Sequence, residues 1–132
     1  TRSSYIASED NNVKGNQVEF IPSVNLKTGV KAGYRDLLLS AQYTYLSQQY
    51  TDAENSPAPD ASDNRSGVIG TIPSYNVIDL SASYTYKNYT IETGILNVMD
   101  NAYFTRRATG YPGPGIIPSD GRGWYLTVGG KF

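Results

Sequence analysis

The chain is 132 residues long, carries 11 basic and 12 acidic side chains, and contains neither histidine nor cysteine. Those two absences remove disulfide frameworks, thiolate metal sites, Ser/His and Cys/His nucleophiles and imidazole bases, so neither an enzyme nor a resident cofactor or metal is expected. The near-balanced charge leaves no basic footprint for nucleic acid, and twelve Tyr, thirteen Gly and seven Pro against one Met favour strands and turns over a helical core.

No stretch approaches the roughly 18 to 20 apolar residues of a spanning helix, and no charged-then-apolar signal segment opens the chain. A transmembrane barrel would show neither, because its strands alternate residue by residue.

The period is two almost throughout, which predicts strands. A first strand is expected to end near Tyr5 to Ser8, followed by a polar loop over 7–16. From Gln17 to Tyr34, Val18, Phe20, Val24, Leu26, Val30, Ala32 and Tyr34 share one face, with Glu19, Ser23, Asn25, Lys27 and Lys31 opposite. Tyr34-Arg35-Asp36 is a tight turn. Leu37 to Tyr50 sets Leu37, Leu39, Ala41, Tyr43 and Tyr45 against Ser40, Gln42 and Thr44. A long loop is predicted over 51–74. Tyr75 to Tyr86 then sets Ile78, Leu80, Ala82, Tyr84 and Tyr86 against Asp79, Ser81, Ser83 and Thr85. Lys87-Asn88 is a two-residue hairpin turn. Tyr89 to Val98 alternates less cleanly, with Leu96 on the polar side, and 99–122 is a second long loop. Finally Trp124, Leu126, Val128, Gly130 and Phe132 oppose Tyr125, Thr127, Gly129 and Lys131.

Long and short connections thus alternate, as in an outer-membrane barrel with short periplasmic turns and long exterior loops. Aromatic residues on the apolar face fall at both ends of the strands, where two membrane interfaces would select them. A soluble β-sandwich that binds glycans or partners also alternates, and it remains the alternative. If the apolar face meets lipid, the sheet must close. About six strands are too few for a spanning barrel, so residues 1–132 are expected to be a fragment.

The stretches Leu80 to Tyr84, Asn97-Val-Met-Asp-Asn-Ala-Tyr103 and Gly121-Arg-Gly-Trp-Tyr-Leu-Thr-Val-Gly-Gly-Lys-Phe132 resemble the C-terminal end of TonB-dependent outer-membrane receptors. In that family the next-to-last strand ends in an Asn-x-x-Asp-x-x-Tyr element and the chain stops on an aromatic residue. The segment from Tyr103 to Pro118 is similar to the ferric dicitrate receptor branch. Val18-Glu-Phe-Ile-Pro22 and Gln49-Tyr-Thr-Asp52 fit the same family.

The resemblance implies an all-β, antiparallel up-and-down meander forming the C-terminal portion of a barrel of about 22 strands, the plug and earlier strands lying upstream. It implies active transport of a ferric chelate, of the citrate or siderophore type, across the outer membrane of a Gram-negative bacterium. The partners implied are the chelate, the TonB energy-coupling complex acting through the N-terminal part, membrane lipid and lipopolysaccharide. The barrel assembly machinery would read Trp124, Leu126, Val128 and Phe132. A passive porin, or a relative importing oligosaccharide or cobalamin, is the alternative within the membrane reading.

Arg106 and Arg107, in the last long loop, are the candidate ligand contacts, because guanidinium groups pair with carboxylates in bidentate geometry. The alternative is that they tie the loop to neighbouring loops or to lipopolysaccharide phosphates. Arg122 is a further candidate, or a rim residue anchoring loop to barrel. Tyr111-Pro-Gly-Pro-Gly115 is a rigid turn segment that could shape a lid. Asp52, Glu54, Asp60 and Asp63 lack the spacing of a calcium loop, and Asp79 with Glu92 could suggest a carboxylate pair or lumen-wall charges.

Overall fold

A computed structural model describes residues 3–58, 69–108 and 115–131. The described residues form nine strands: β1 (Asn25–Tyr34), β2 (Leu37–Leu46), β3 (Gln49–Tyr50), β4 (Thr71–Ile72), β5 (Tyr75–Tyr86), β6 (Tyr89–Leu96), β7 (Phe104–Ala108), β8 (Gly115–Pro118) and β9 (Gly123–Gly130). The long strands form one five-stranded sheet in the order β1-β2-β5-β6-β9, an antiparallel meander in which each pairs with its successor. Each long connection between them carries its own two-stranded ribbon, β3-β4 or β7-β8. Two compact units result, one holding residues 1–25, 46–75 and 103–119, the other residues 26–45, 76–102 and 120–132.

The sheet follows the alternation closely. Leu80 pairs with Ile95, Ala82 with Thr93 and Tyr84 with Ile91; across the next ladder Ile91 pairs with Val128, Thr93 with Leu126 and Ile95 with Trp124. Directly opposed residues share a face, so these rows form one continuous apolar surface. The opposite face carries Ser83, Glu92 and Thr127 in one row and Ser81, Gly94 and Tyr125 in the next. There the Tyr125 ring lies over Gly94 so closely that an added Cβ would meet it at 2.5 Å, an aromatic ring covering a cross-strand glycine.

Among the described residues, none covers the apolar surface. Leu39 is 49%, Leu80 41%, Leu126 60% and Val128 66% exposed, and among the described residues Ile72 is the one buried apolar side chain. Water-soluble monomers rarely leave so large a contiguous apolar patch bare. Thr93 interrupts the patch with a hydroxyl, which donates to the Tyr125 carbonyl at 2.9 Å. A hydroxyl set in an apolar surface is stabilised by an internal partner of this kind.

The two short turns are built alike. Arg35 and Lys87, first in their turns, have φ of 52° and 53°. Each reaches back over the preceding ring, Arg35 over Tyr34 and Lys87 over Tyr86, both 5.3 Å from the centroid. The carbonyls of Asp36 and Asn88 accept from the Thr85 and Lys131 amides at 3.0 and 2.9 Å, which carries the ladder out to the turns.

The structure differs from the sequence reading in the two ribbons, whose strands β4, β7 and β8 fall in segments expected as loops, and in three strand boundaries. The strand expected from Gln17 begins only at Asn25, because Phe20 has φ 58° and Pro22 has no amide proton to donate. Phe20 instead donates its amide to the Tyr50 carbonyl at 2.8 Å. The strand expected to end near Tyr5 to Ser8 is reduced to an isolated Ser4–Gln17 bridge, with Ser8 and Asp10 side chains capping a turn just after it. Beside that bridge Tyr5 donates to Glu19, which holds the phenol above its ordinary pKa. Leu37 to Tyr50 divides at Ser47, whose amide donates to Val24 at 2.9 Å; β2 stops there and β3 joins a ribbon.

Candidate functional site

In the unit built from the long connections, β7 and β8 pair Phe104 with Pro118, Arg106 with Ile117, Arg107 with Ile116 and Ala108 with Gly115, with a register shift between Phe104 and Arg106. Such bulges re-aim side chains. Here they leave the two arginines in different settings. Arg106 is exposed and forms no ion pair with another described residue. Arg107 is half-buried; its Nη2 donates to the Thr71 carbonyl at 3.1 Å, its guanidinium lies 5.7 Å from the Phe104 centroid, and its Nε has no partner among the described residues. Arg107 therefore joins β7 to β4, while Arg106 presents a guanidinium with no acidic partner among the described residues. Tyr75 and Tyr103 stack at 4.4 Å with their planes 20° apart, and the Tyr103 carbonyl accepts from the Ser119 amide at 2.9 Å where the ribbon closes. Tyr111 to Pro114 lie outside the described residues.

Arg122 belongs to the sheet unit. Its backbone amide donates to Asp100 Oδ1 at 2.9 Å, and its guanidinium lies 4.0 Å from Asp100 Oδ2 with both side chains more than half exposed. An exposed pair at that distance adds little stability; the amide bond is the firmer tie.

Asp100 belongs to a polar knot at the end of β6 that residue-by-residue reading missed. Asn97, 3% exposed and at φ 50°, donates its amide to Asp79 Oδ1 at 2.8 Å. Its side chain bonds both the amide and the carbonyl of Asn101, each at 3.0 Å. Asn101 in turn donates to the carbonyl and side chain of Asn76 at 2.9 and 3.0 Å. The Asn-x-x-Asp-x-x-Tyr spacing pointed to this element; its partners Asp79 and Asn76, on a different strand, left no local signal.

Asp79 does not pair with Glu92. Glu92 sits opposite Ser83, four residues along β5 from Asp79, or roughly 13 Å at strand rise. Asp52 caps its own turn by accepting from the amide and hydroxyl of Ser56. Asp60 and Asp63 lie outside the described residues, among which no three potential ligands cluster for a metal. Trp124, Leu126 and Val128 project from β9 on the apolar face, 78%, 60% and 66% exposed; Phe132 lies outside the described residues.

The family model for the TonB dependent receptor-like β-barrel matches residues 1–98. The chain belongs to that family. Solved uptake proteins also show a likeness in fold. The ferric citrate transporter FecA, unliganded, is 23% identical with a TM-score of 0.79 over 94% of this chain and 19% of its own. The siderophore receptor PiuA from Acinetobacter baumannii is 24% identical with a TM-score of 0.72, over 91% and 15%. The ferric yersiniabactin uptake receptor FyuA from Yersinia pestis is 18% identical with a TM-score of 0.66, over 91% and 18%. This chain therefore spans about a fifth or less of each solved receptor. No curated protein sequence matches it. The receptor family assignment rests on residues 1–98, so it is independent of most of the C-terminal motifs.

Proposed function

We propose that this chain supplies membrane-spanning strands and cell-exterior loops to an outer-membrane receptor that imports a ferric chelate, of the citrate class. The observation that carries the reading is the bare apolar face of a sheet belonging to the TonB-dependent receptor barrel family. Hydrocarbon is the cover that suits it. The polar face, with Glu92 and Thr127 in one row, then lines the lumen. Cargo passes with no covalent chemistry. Energy coupling by the TonB complex would act on parts of the receptor outside this chain. Trp124, Leu126, Val128 and Phe132 would be the residues read by the barrel assembly machinery.

Ferric citrate complexes are anionic and rich in carboxylates. Arg106, exposed and without an acidic partner among the described residues, has both N–H edges free for a bidentate contact. Arg107 supports it by fixing β7 to β4 and by adding positive potential, and Arg122, on the sheet unit, is a further candidate by its own charge.

In the complete receptor, Arg106→Ala is expected to weaken ferric citrate binding by roughly 10- to 100-fold, the equivalent of one charged hydrogen-bonded contact. The combined Arg106→Ala/Arg107→Ala variant should be weaker still. Calorimetric titration checks this, and unchanged affinity in the double variant would remove these residues from the contact.

A further inference from the structure

We propose that the apolar face of β1, β2, β5 and β6 holds one anionic glycerophospholipid in a fixed pose, with an acyl chain in a groove and its phosphate against Arg35 and Lys87. The inference rests on the membrane reading above and goes beyond it, since a membrane face requires only loosely exchanging lipid. The groove measures about 420 Å³ and is lined by residues including Val30, Ala32, Leu39, Ala41, Leu80 and Ala82. That volume lies within the range of small-molecule pockets, and its short alanines sit between exposed, taller Val30, Leu39 and Leu80.

Charge identifies the occupant. The groove lies part-way along strands that run on to the short turns, where Arg35, Lys87 and Lys131 are all exposed and Asp36 is the acid beside them. The turns are linked to their neighbours by the Asp36–Thr85 and Asn88–Lys131 backbone bonds, so these cations lie on one rim. Stacking over Tyr34 and Tyr86 at 5.3 Å restrains Arg35 and Lys87 through one face of each ring and leaves N–H groups to donate to a phosphate. Ala32 lies three residues from Arg35 and Ala82 five from Lys87, or about 10 and 17 Å at strand rise. One leaflet of hydrocarbon is about 15 Å deep, so a headgroup at the turns delivers its acyl chain to the groove. A rim of excess positive charge selects an anionic headgroup over a zwitterionic one.

The test is native mass spectrometry of the complete receptor in mild detergent, titrated with phosphatidylglycerol, phosphatidylethanolamine or lipopolysaccharide. The expected result is a single saturable phosphatidylglycerol adduct. Arg35→Gln/Lys87→Gln should weaken it about thirtyfold, as for the loss of two cations near an anionic surface. Ala41→Phe/Ala82→Phe, which fills the groove on a face that tolerates apolar bulk, should weaken it independently while leaving the cations in place. Equal retention of phosphatidylglycerol by all three proteins, no preference over phosphatidylethanolamine, or lipopolysaccharide as the preferred adduct would each overturn the site. A heat-modifiable gel shift on the same samples separates the two readings. A shifted barrel without the adduct loses only this inference, whereas a protein that stays monodisperse without detergent loses the membrane reading as well.

Discussion

Leu126→Arg in the complete receptor is expected to destabilise the folded barrel by about 2–4 kcal/mol, the cost of an arginine on the lipid face near the bilayer midplane. Leu126 sits at the middle of β9, in the row Ala82, Thr93, Leu126, and is 60% exposed. In water, a substitution at so exposed a position would fall within about 0.5 kcal/mol. The same arginine one residue on, Thr127→Arg, lands on the opposite face across from Glu92 and is expected to stay within that smaller range. Urea titration in lipid vesicles, with the folded fraction read from the heat-modifiable gel shift, gives both numbers. The contrast between adjacent residues is the informative quantity, because local strand propensity and overall charge are nearly matched.

Asn97→Ala is expected to cost about 2–4 kcal/mol. It strands the half-buried amide and carbonyl of Asn101, a loss of roughly 1–3 kcal/mol for polar groups left unpaired away from water. It also forces a Cβ residue without a local polar tether into φ 50°, which adds about 1 kcal/mol. Asn97→Gly separates the two contributions, since glycine adopts positive φ freely yet restores neither bond. Its loss should therefore be smaller than that of alanine. Hydrogen exchange is expected to rise locally at 97–103 in both variants, where the knot joins β6 to the chain leading into β7.

The sheet was legible in the sequence because its faces obey a period of two: Leu80, Ala82, Tyr84 and Tyr86 share a side both in the string and in the structure. Where periodicity misled, backbone conformation had overruled it. Val18, Phe20 and Val24 keep the parity of β1, but alternation carries no information about φ, and Phe20 turns left-handed. The ribbons β3-β4 and β7-β8 were hidden because strands of two to five residues are too short to show alternation. Thr93 shares the apolar side of β6 by parity, and its hydroxyl is satisfied by the Tyr125 carbonyl. For the candidate site, sequence marked Arg106 and Arg107 as a pair. It could not show that one guanidinium is committed to Thr71 while the other has no acidic partner among the described residues, because that difference depends on a bulge and on a strand about 35 residues away in the chain.

The most direct measurement places a single spin label in turn at positions 125 through 129 of the complete receptor in bilayers and compares its accessibility to oxygen and to a water-soluble nickel chelate. This chain contains no cysteine, so none of its own residues competes for the label. Labels at Leu126 and Val128 should favour oxygen, and those at Tyr125, Thr127 and Gly129 the chelate, alternating at every step. Chelate reaching 126 and 128 as readily as 127 would mean that water, not hydrocarbon, covers that face.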